Sequence, residues 1–386
     1  MGNEPIGSLV KLRDHLDKFL GMYVGLMIVI GTITGYYSIH WVMHNANLLQ
    51  KLMEAAIYIM VFPMMLMLNV KSLGKSFRNW KVTTAVILMN FIYGPVMAVL
   101  LGLIFLNNPF IRLGLFIAWL VPCSSMSIGY VGLMRGDINS ATAMVALSFI
   151  LSLALIPLET SGYISLIFVH QIHGSITLTS AAMNKIEMGI LMTIIEVLLI
   201  PLIIAIPSHE AIIRKAGIDK FRKISPLFST LTMLGMFLII FTIFFAHAGM
   251  LITHIKDVLG VFYSAMIFGA VSLTLFTFLF KHLKLNKTGT KNYRSAMVAI
   301  LTGIPKNEAT AIALSSMALA SLGSQYAFLA SLPPSLLPAF QVVFIIIFLK
   351  MREKLIKYYG GNVKELEIIE EEEIASQKQE KIKVPS

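Results

Sequence analysis

Lys306, Asn307 and Glu308 follow Pro305 inside an otherwise apolar run, AMVAILTGIPKNEATAIALSSMAL. Ionisable groups at membrane depth are expensive, and they face a cavity or one another. Glu308 is a carboxylate able to take a cation or a proton, and Lys306 is a fixed or exchangeable positive charge beside it. On an unbroken helix, residues i and i+2 do not meet. Gly303 and Pro305 break this one, so the two need not share a face; if they do pair, the pair is neutral overall. The plainer reading has Lys306 extending its ammonium to the membrane edge.

A second interrupted run is LGLFIAWLVPCSSMSIGYVGLMRGD (113–137). Pro122 has no N–H to donate and its ring strikes the preceding turn. Cys123, Ser124, Ser125 and Ser127 follow immediately. Broken backbone at membrane depth is tolerated only where protein or a watery cavity satisfies it, so this segment reads as substrate-lining. Cys123 is the single cysteine, which leaves no internal disulfide. A tight soft-metal site needs three or four Cys or His ligands. One thiol gives a weak, reversible contact suited to a carrier; otherwise it is a small packed hydrophobe. Glu196, in ILMTIIEVLLIPL, has no basic neighbour in sequence. It is either a proton carrier or a donor of one interhelical hydrogen bond. Asn90, before Gly94-Pro95, reads as an interhelical hydrogen bonder, and Glu54 and Glu187 as span-end residues.

The chain that must position these groups has 386 residues, 57% hydrophobic and 13% charged. A soluble domain does not need that much apolar residue, so the chain reads as an all-α, multi-pass membrane protein. Runs of about 20 apolar residues fall near 19–37, 52–70, 82–106, 113–133, 141–158, 187–206, 227–246, 259–280, 296–319 and 334–349. Among the connections, only Lys51, Arg112, Lys185 and Lys256 supply basic charge on one side; the rest lies on the other. The positive-inside rule then places both termini in the cytoplasm of a cell-membrane protein, which ten spans allow.

Ten spans divide into five and five, and an odd repeat inserts its second copy upside down. The expected organisation is an N-terminal segment (1–18), a first repeat (19–158), an external connection (159–186), a second repeat (187–349) and a charged tail (350–386). Pro122 and Pro305 then interrupt the fourth span of each half, and these broken helices are expected to cross. The net charge of +11 sits in loops between apolar runs and is no nucleic-acid signal. No cofactor motif, H-E-x-x-H, paired intramembrane aspartates or G-x-S-x-G elbow is present, which argues against an enzyme. Two unlike crossing helices also fit a ring-lined channel poorly.

Several stretches resemble the arsenical-resistance-3 arsenite permeases, a branch of the bile acid:sodium symporter superfamily. They are FPMMLMLNVKSLGKSFRNWK (62–81), LMNFIYGPVMAVLLGLIFL (88–106), VPCSSM (121–126), RGDINS (135–140) and FRKISPLFSTLTMLGMFLIIFT (221–242). The resemblance implies a ten-span inverted-repeat fold and a functional pair at Cys123 and Glu308. The chain departs where that family has paired asparagines (here Pro305 and Lys306), asparagine and glutamine in the fifth span (Ser148 and Ser152), a glutamate in the last span (Leu336) and an arginine before the cysteine (Pro122). The expected function is extrusion of arsenite, or a related small oxyacid, by an antiporter that exchanges it for protons. The alternative is sodium-coupled symport of an organic anion.

Overall fold

The computed structural model describes residues 4–68, 74, 79–124, 126–169, 180–287, 289–369 and 372, and its regular elements are helical throughout. An amphipathic helix α1 (Glu4–Lys18) precedes α2 (Leu20–Tyr37), α3 (Ala46–Leu66) and α4 (Trp80–Phe105). Then come α5 (Pro109–Leu120) and α6 (Met126–Leu133), followed by α7 (Ile138–Phe168), α8 (Ile186–Ala216), α9 (Ile218–Ala246) and α10 (Ile255–Leu283). A second short pair, α11 (Gly289–Gly303) and α12 (Glu308–Ala318), precedes α13 (Ser324–Lys350) and α14 (Arg352–Tyr358). Among the described residues, eight helices are long and apolar enough to cross a membrane, and α5 is a shorter apolar one.

The surface explains the composition. Ile33, Ile104, Leu158, Leu166 and Phe278 all lie exposed on the outer faces of long helices. Rows of large apolar side chains are what a hydrocarbon environment requires. Inside, backbones approach closely through small residues, as in membrane bundles. A Cβ at Gly114 of α5 would overlap the Ala330 carbonyl of α13.

Two packing groups result. In the first, α9 lies against α2 and α3, and α8 against α3 and α9, with α1 along α9. In the second, α13 packs on α5, α10 and α12, while α4 and α7 pack on α11. The short pairs interlock within the second group, α6 against α11 and α5 against α12. The α8 and α3 helices meet α12, and α2 meets α13, so the groups face each other across the broken helices.

Several boundaries differ from the hydropathy reading. The fifth span does not stop at Leu158: helical turns continue through Glu159 to Phe168. A carboxylate ends a hydropathy window, but it does not end a helix whose backbone bonds continue. Similarly α3 begins at Ala46 and α5 at Pro109. Asn108 caps α5 by accepting from the Phe110 and Ile111 amides at 2.9 and 3.4 Å. Ser125, most of the 159–186 connection beyond Val169, and most of the tail after Ile369 lie outside the described residues.

Candidate functional site

The two breaks follow from local chemistry. Helix α5 closes with the Val121 amide on the Ile117 carbonyl, and Pro122 cannot continue the ladder. The chain restarts when the Ser127 amide bonds to the Ser124 carbonyl at 3.1 Å. In the second break, α11 ends at Gly303, Pro305 follows, and Asn307 caps α12 by accepting from the Thr310 amide at 3.2 Å. Glu308 therefore begins α12, where the positive end of the helix dipole favours a carboxylate. Lys306, Asn307 and Glu308 are all buried, at 2%, 3% and 8% exposure.

Lys306 turns toward α4. Its ammonium donates to Asn90 Oδ1 at 2.9 Å, and its own amide donates to Gln341 Oε1 of α13 at 2.9 Å. Asn90 is held in turn, its Nδ2 donating to the Thr302 carbonyl at 3.2 Å and to Ser148 Oγ at 3.4 Å. A π-turn over Met89–Tyr93 sets this register. Pro95 has no N–H for the Phe91 carbonyl, and the Gly94 amide reaches back to Met89 instead. Gly94 also leaves the room Lys306 needs. A Cβ there would lie 3.2 Å from the ammonium and closer still to the Trp119 carbonyl. The ammonium thus sits beside the carboxyl end of α5, where free carbonyls favour positive charge. Cys123 and Glu159 are the acidic groups within its electrostatic reach. Cys123 is buried at 1% exposure and is within hydrogen-bond reach of Ser127.

Glu308 belongs to a different neighbourhood. With Asn307 and Ser124 it lines a cavity of about 40 Å³, room for one or two waters or a small ion. Five methionines from α3, α6, α9 and the end of α3 complete much of the wall: Met64, Met67, Met126, Met233 and Met236. Two of the thioethers accept hydrogen bonds, Met64 from Asn307 Nδ2 at 3.0 Å and Met67 from Ser229 Oγ at 3.4 Å. Glu308 Oε1 is buried without a hydrogen-bond partner. Tyr130 of α6 lies within electrostatic reach of both Glu308 and Asp17.

The Lys306–Glu308 ion pair that the sequence left open is therefore not formed. The cap at Asn307 turns the chain between them, sending one side chain to Asn90 and the other to the methionine-lined cavity. Cys123, Ser124, Lys306, Asn307 and Glu308 gather at the two breaks, flanked by Pro122, Gly303 and Pro305, which are all buried. Glu196 does not join them. It sits on a π-turn preceding Pro201 and is exposed on the outer face of α8. Glu187, near the start of α8, accepts from Ser161 Oγ at 3.1 Å; Glu54 accepts from Gln50 at 3.2 Å but lies two turns inside α3, not at a span end, because that helix begins at Ala46. Ser152 Oγ is occupied by the Phe149 carbonyl. Sequence reading missed Glu159, Tyr130, Thr302 and Gln341. Gln341 had one usable signal, as the amide side chain within the last span; the others had none.

The arrangement offers a basic side chain anchored on Asn90 to one side of the second break and a carboxyl oxygen without a partner in a small cavity to the other. A family model described as the Sodium Bile acid symporter family matches residues 54–254, just over half of the chain. No curated protein matches the chain.

Proposed function

We propose that this chain, which belongs to the sodium bile acid symporter family, is a secondary transporter of a small oxyacid or anion whose coupling cation is built in as Lys306. Half-helix carboxyl ends and unwound carbonyls are where transporters of this general design place a coupling cation. Here that position, beside the end of α5 and against Asn90, holds an ammonium. This is the observation that carries the reading. A tethered amine that gains a proton to become an ammonium, and loses it again, does the work of a bound sodium ion. It therefore supports coupling to protons.

In this reading the two broken helices complete a set of ten spans. The packing supports an inverted five-and-five repeat: one group contains the first, second, sixth and seventh spans, and the other the remaining six. Each half contributes alike to each group. The basic loops put both termini in the cytoplasm. A proton then loads from outside, releases inside, and drives extrusion of the substrate. Arsenite is the leading substrate, being uncharged near neutral pH and matched to a thiol and hydroxyls at Cys123, Ser124 and Ser127.

Sodium-coupled symport of an organic anion is the second reading, favoured by the partnerless Glu308 oxygen beside Ser124 and Asn307. Purified protein in liposomes separates the two. Arsenite and an organic carboxylate are offered in turn under an imposed pH gradient or an imposed sodium gradient. Flux that follows pH and ignores sodium is expected. Flux that requires sodium and ignores pH overturns the Lys306 reading in favour of the symporter.

A further inference from the structure

Away from the crossing, at the end of the bundle that carries the basic loops, lies a much larger cavity of about 770 Å³. It opens where α4 and α7 begin and where the connection from α10 enters α11. Its size is that of a small-ligand pocket. Lys81, Lys284 and Lys287 line it. Its floor is a polar framework: Ser295 Oγ accepts from Asn79 Nδ2 at 3.4 Å and from Asn286 Nδ2 at 3.3 Å. Lys81 is fixed in place by donating to the Lys284 carbonyl at 3.3 Å.

The charge does not cancel. Asp137 also lines the cavity, but it caps α7, accepting from the Asn139 and Ser140 amides and from Ser140 Oγ. Glu367, further along that surface, reaches Arg135 at 3.7 Å. The beginnings of α4 and α7 add the positive ends of two helix dipoles. Trp80 sits on the rim at 67% exposure, and an exposed indole at the end of an apolar span marks the headgroup level of a bilayer.

We propose that this cavity binds a phosphate group, that of an anionic phospholipid headgroup entering from the surrounding leaflet. Basic pockets between membrane helices on the positively charged side suit such headgroups, and each lysine near the surface adds to the attraction. Trp80, exposed on the rim, favours the lipid over a soluble phosphate. The helices that begin or pass here, α4, α7 and α11, also carry Asn90, Ser148 and Thr302. A bound headgroup ties together the three helices that fix Asn90, the acceptor of the Lys306 side chain.

The test uses the full chain, purified in detergent, and reads its melting temperature. The probes are dioleoylphosphatidylglycerol, dioleoylphosphatidylcholine and inorganic phosphate. The variant is Lys284→Asn with Lys287→Gln; asparagine is chosen because Lys284 has φ 47°, which asparagine tolerates. Phosphatidylglycerol is expected to raise the melting temperature by several degrees, phosphatidylcholine not to, and the variant to need about tenfold more phosphatidylglycerol. Lys287→Glu, at an exposed position, should show the same loss should the double variant melt early in phosphatidylcholine. Equal responses to the two lipids, or a phosphatidylglycerol response unchanged in both variants, overturn the site. A lysine-dependent shift with inorganic phosphate but not with phosphatidylglycerol overturns the lipid source.

Discussion

The Lys306 ammonium donates to Asn90 Oδ1 at 2.9 Å, across 216 residues of sequence, while Glu308, two residues on, has an oxygen with no partner. The two charges are neighbours in sequence and strangers in space. An ammonium with a fixed amide acceptor is held in place by that bond. A carboxylate with an unsatisfied oxygen in a cavity is free to accept a proton or an ion. The division of labour at the second break follows from this difference.

Removing the acceptor should expose the cost of burying the ammonium. Asn90→Leu leaves Lys306 without that bond, and uncompensated buried charges cost about 3–5 kcal/mol. Lys306→Met alone removes the charge and should be milder. The double variant should recover most of the stability lost in Asn90→Leu, which a double-mutant cycle in detergent measures. In transport, Lys306→Ala frees the cation position and should make flux sensitive to sodium. Additive stability losses together with sodium-indifferent flux would show that Lys306 is packing only.

Glu308→Gln separates stability from function. The amide has the same shape and carries no charge into the 40 Å³ cavity. Relief of an unpartnered buried carboxyl predicts a melting temperature equal to or above that of the parent. Transport should fall by at least about tenfold, because an amide can neither titrate nor neutralise a cation. A variant that transports normally and still follows pH leaves coupling with Lys306 alone and removes the support that the partnerless Glu308 oxygen gives to sodium-coupled symport.

The helix breaks were legible in sequence because their cause is local. Proline at 122 and 305 lacks an N–H wherever it is placed. The inward register of Asn90 was half legible, since Gly94-Pro95 announces a disturbed ladder without saying which way it turns. The direction of Lys306 was not legible, because its partner is on another helix. Nor was the methionine wall, which three helices and their flanks assemble from residues that look like ordinary filling. Glu196 shows the converse. A lone carboxylate in an apolar run draws attention, but which face of α8 it occupies depends on α3, α9 and α12 packing against the others.

Cys123 tests the substrate. It is buried beside Ser127 and does not line the cavity that Glu308 faces. As the single cysteine, it reports its own accessibility: a membrane-permeant maleimide should react slowly at rest and faster during turnover. Cys123→Ser is close in volume, so folding should survive. Oxygen is a poorer ligand than sulfur for a soft centre, so arsenite flux should drop several-fold while flux of a carboxylate substrate does not. Equal losses on both substrates would make the cysteine a packing residue.

Asp17 links pH to the attachment of α1. Leu16 is buried beside it, and Asp17 Oδ1 is buried without a partner. Burial is the main reason its carboxyl is raised from 3.8 to about 6, opposed by Arg13 and assisted by Asp14. Arg13 helps little, since its guanidinium bonds to Asp14 at 2.9 and 2.5 Å. Between about pH 4 and pH 6 the folded chain holds a proton that the unfolded chain has released. Stability from this group is therefore highest below that window, falls as pH rises through it, and stays at its lower level above. Asp17→Asn abolishes the penalty without changing shape. It should raise the melting temperature at pH 7.5 and leave it unchanged at pH 4, whereas Asp14→Asn, at an exposed ion pair, should leave it unchanged at both. An Asp17→Asn effect of equal size at both pH values would mean that hydrogen bonding by the amide, and not the titration of a buried carboxyl, governs how α1 sits on α9.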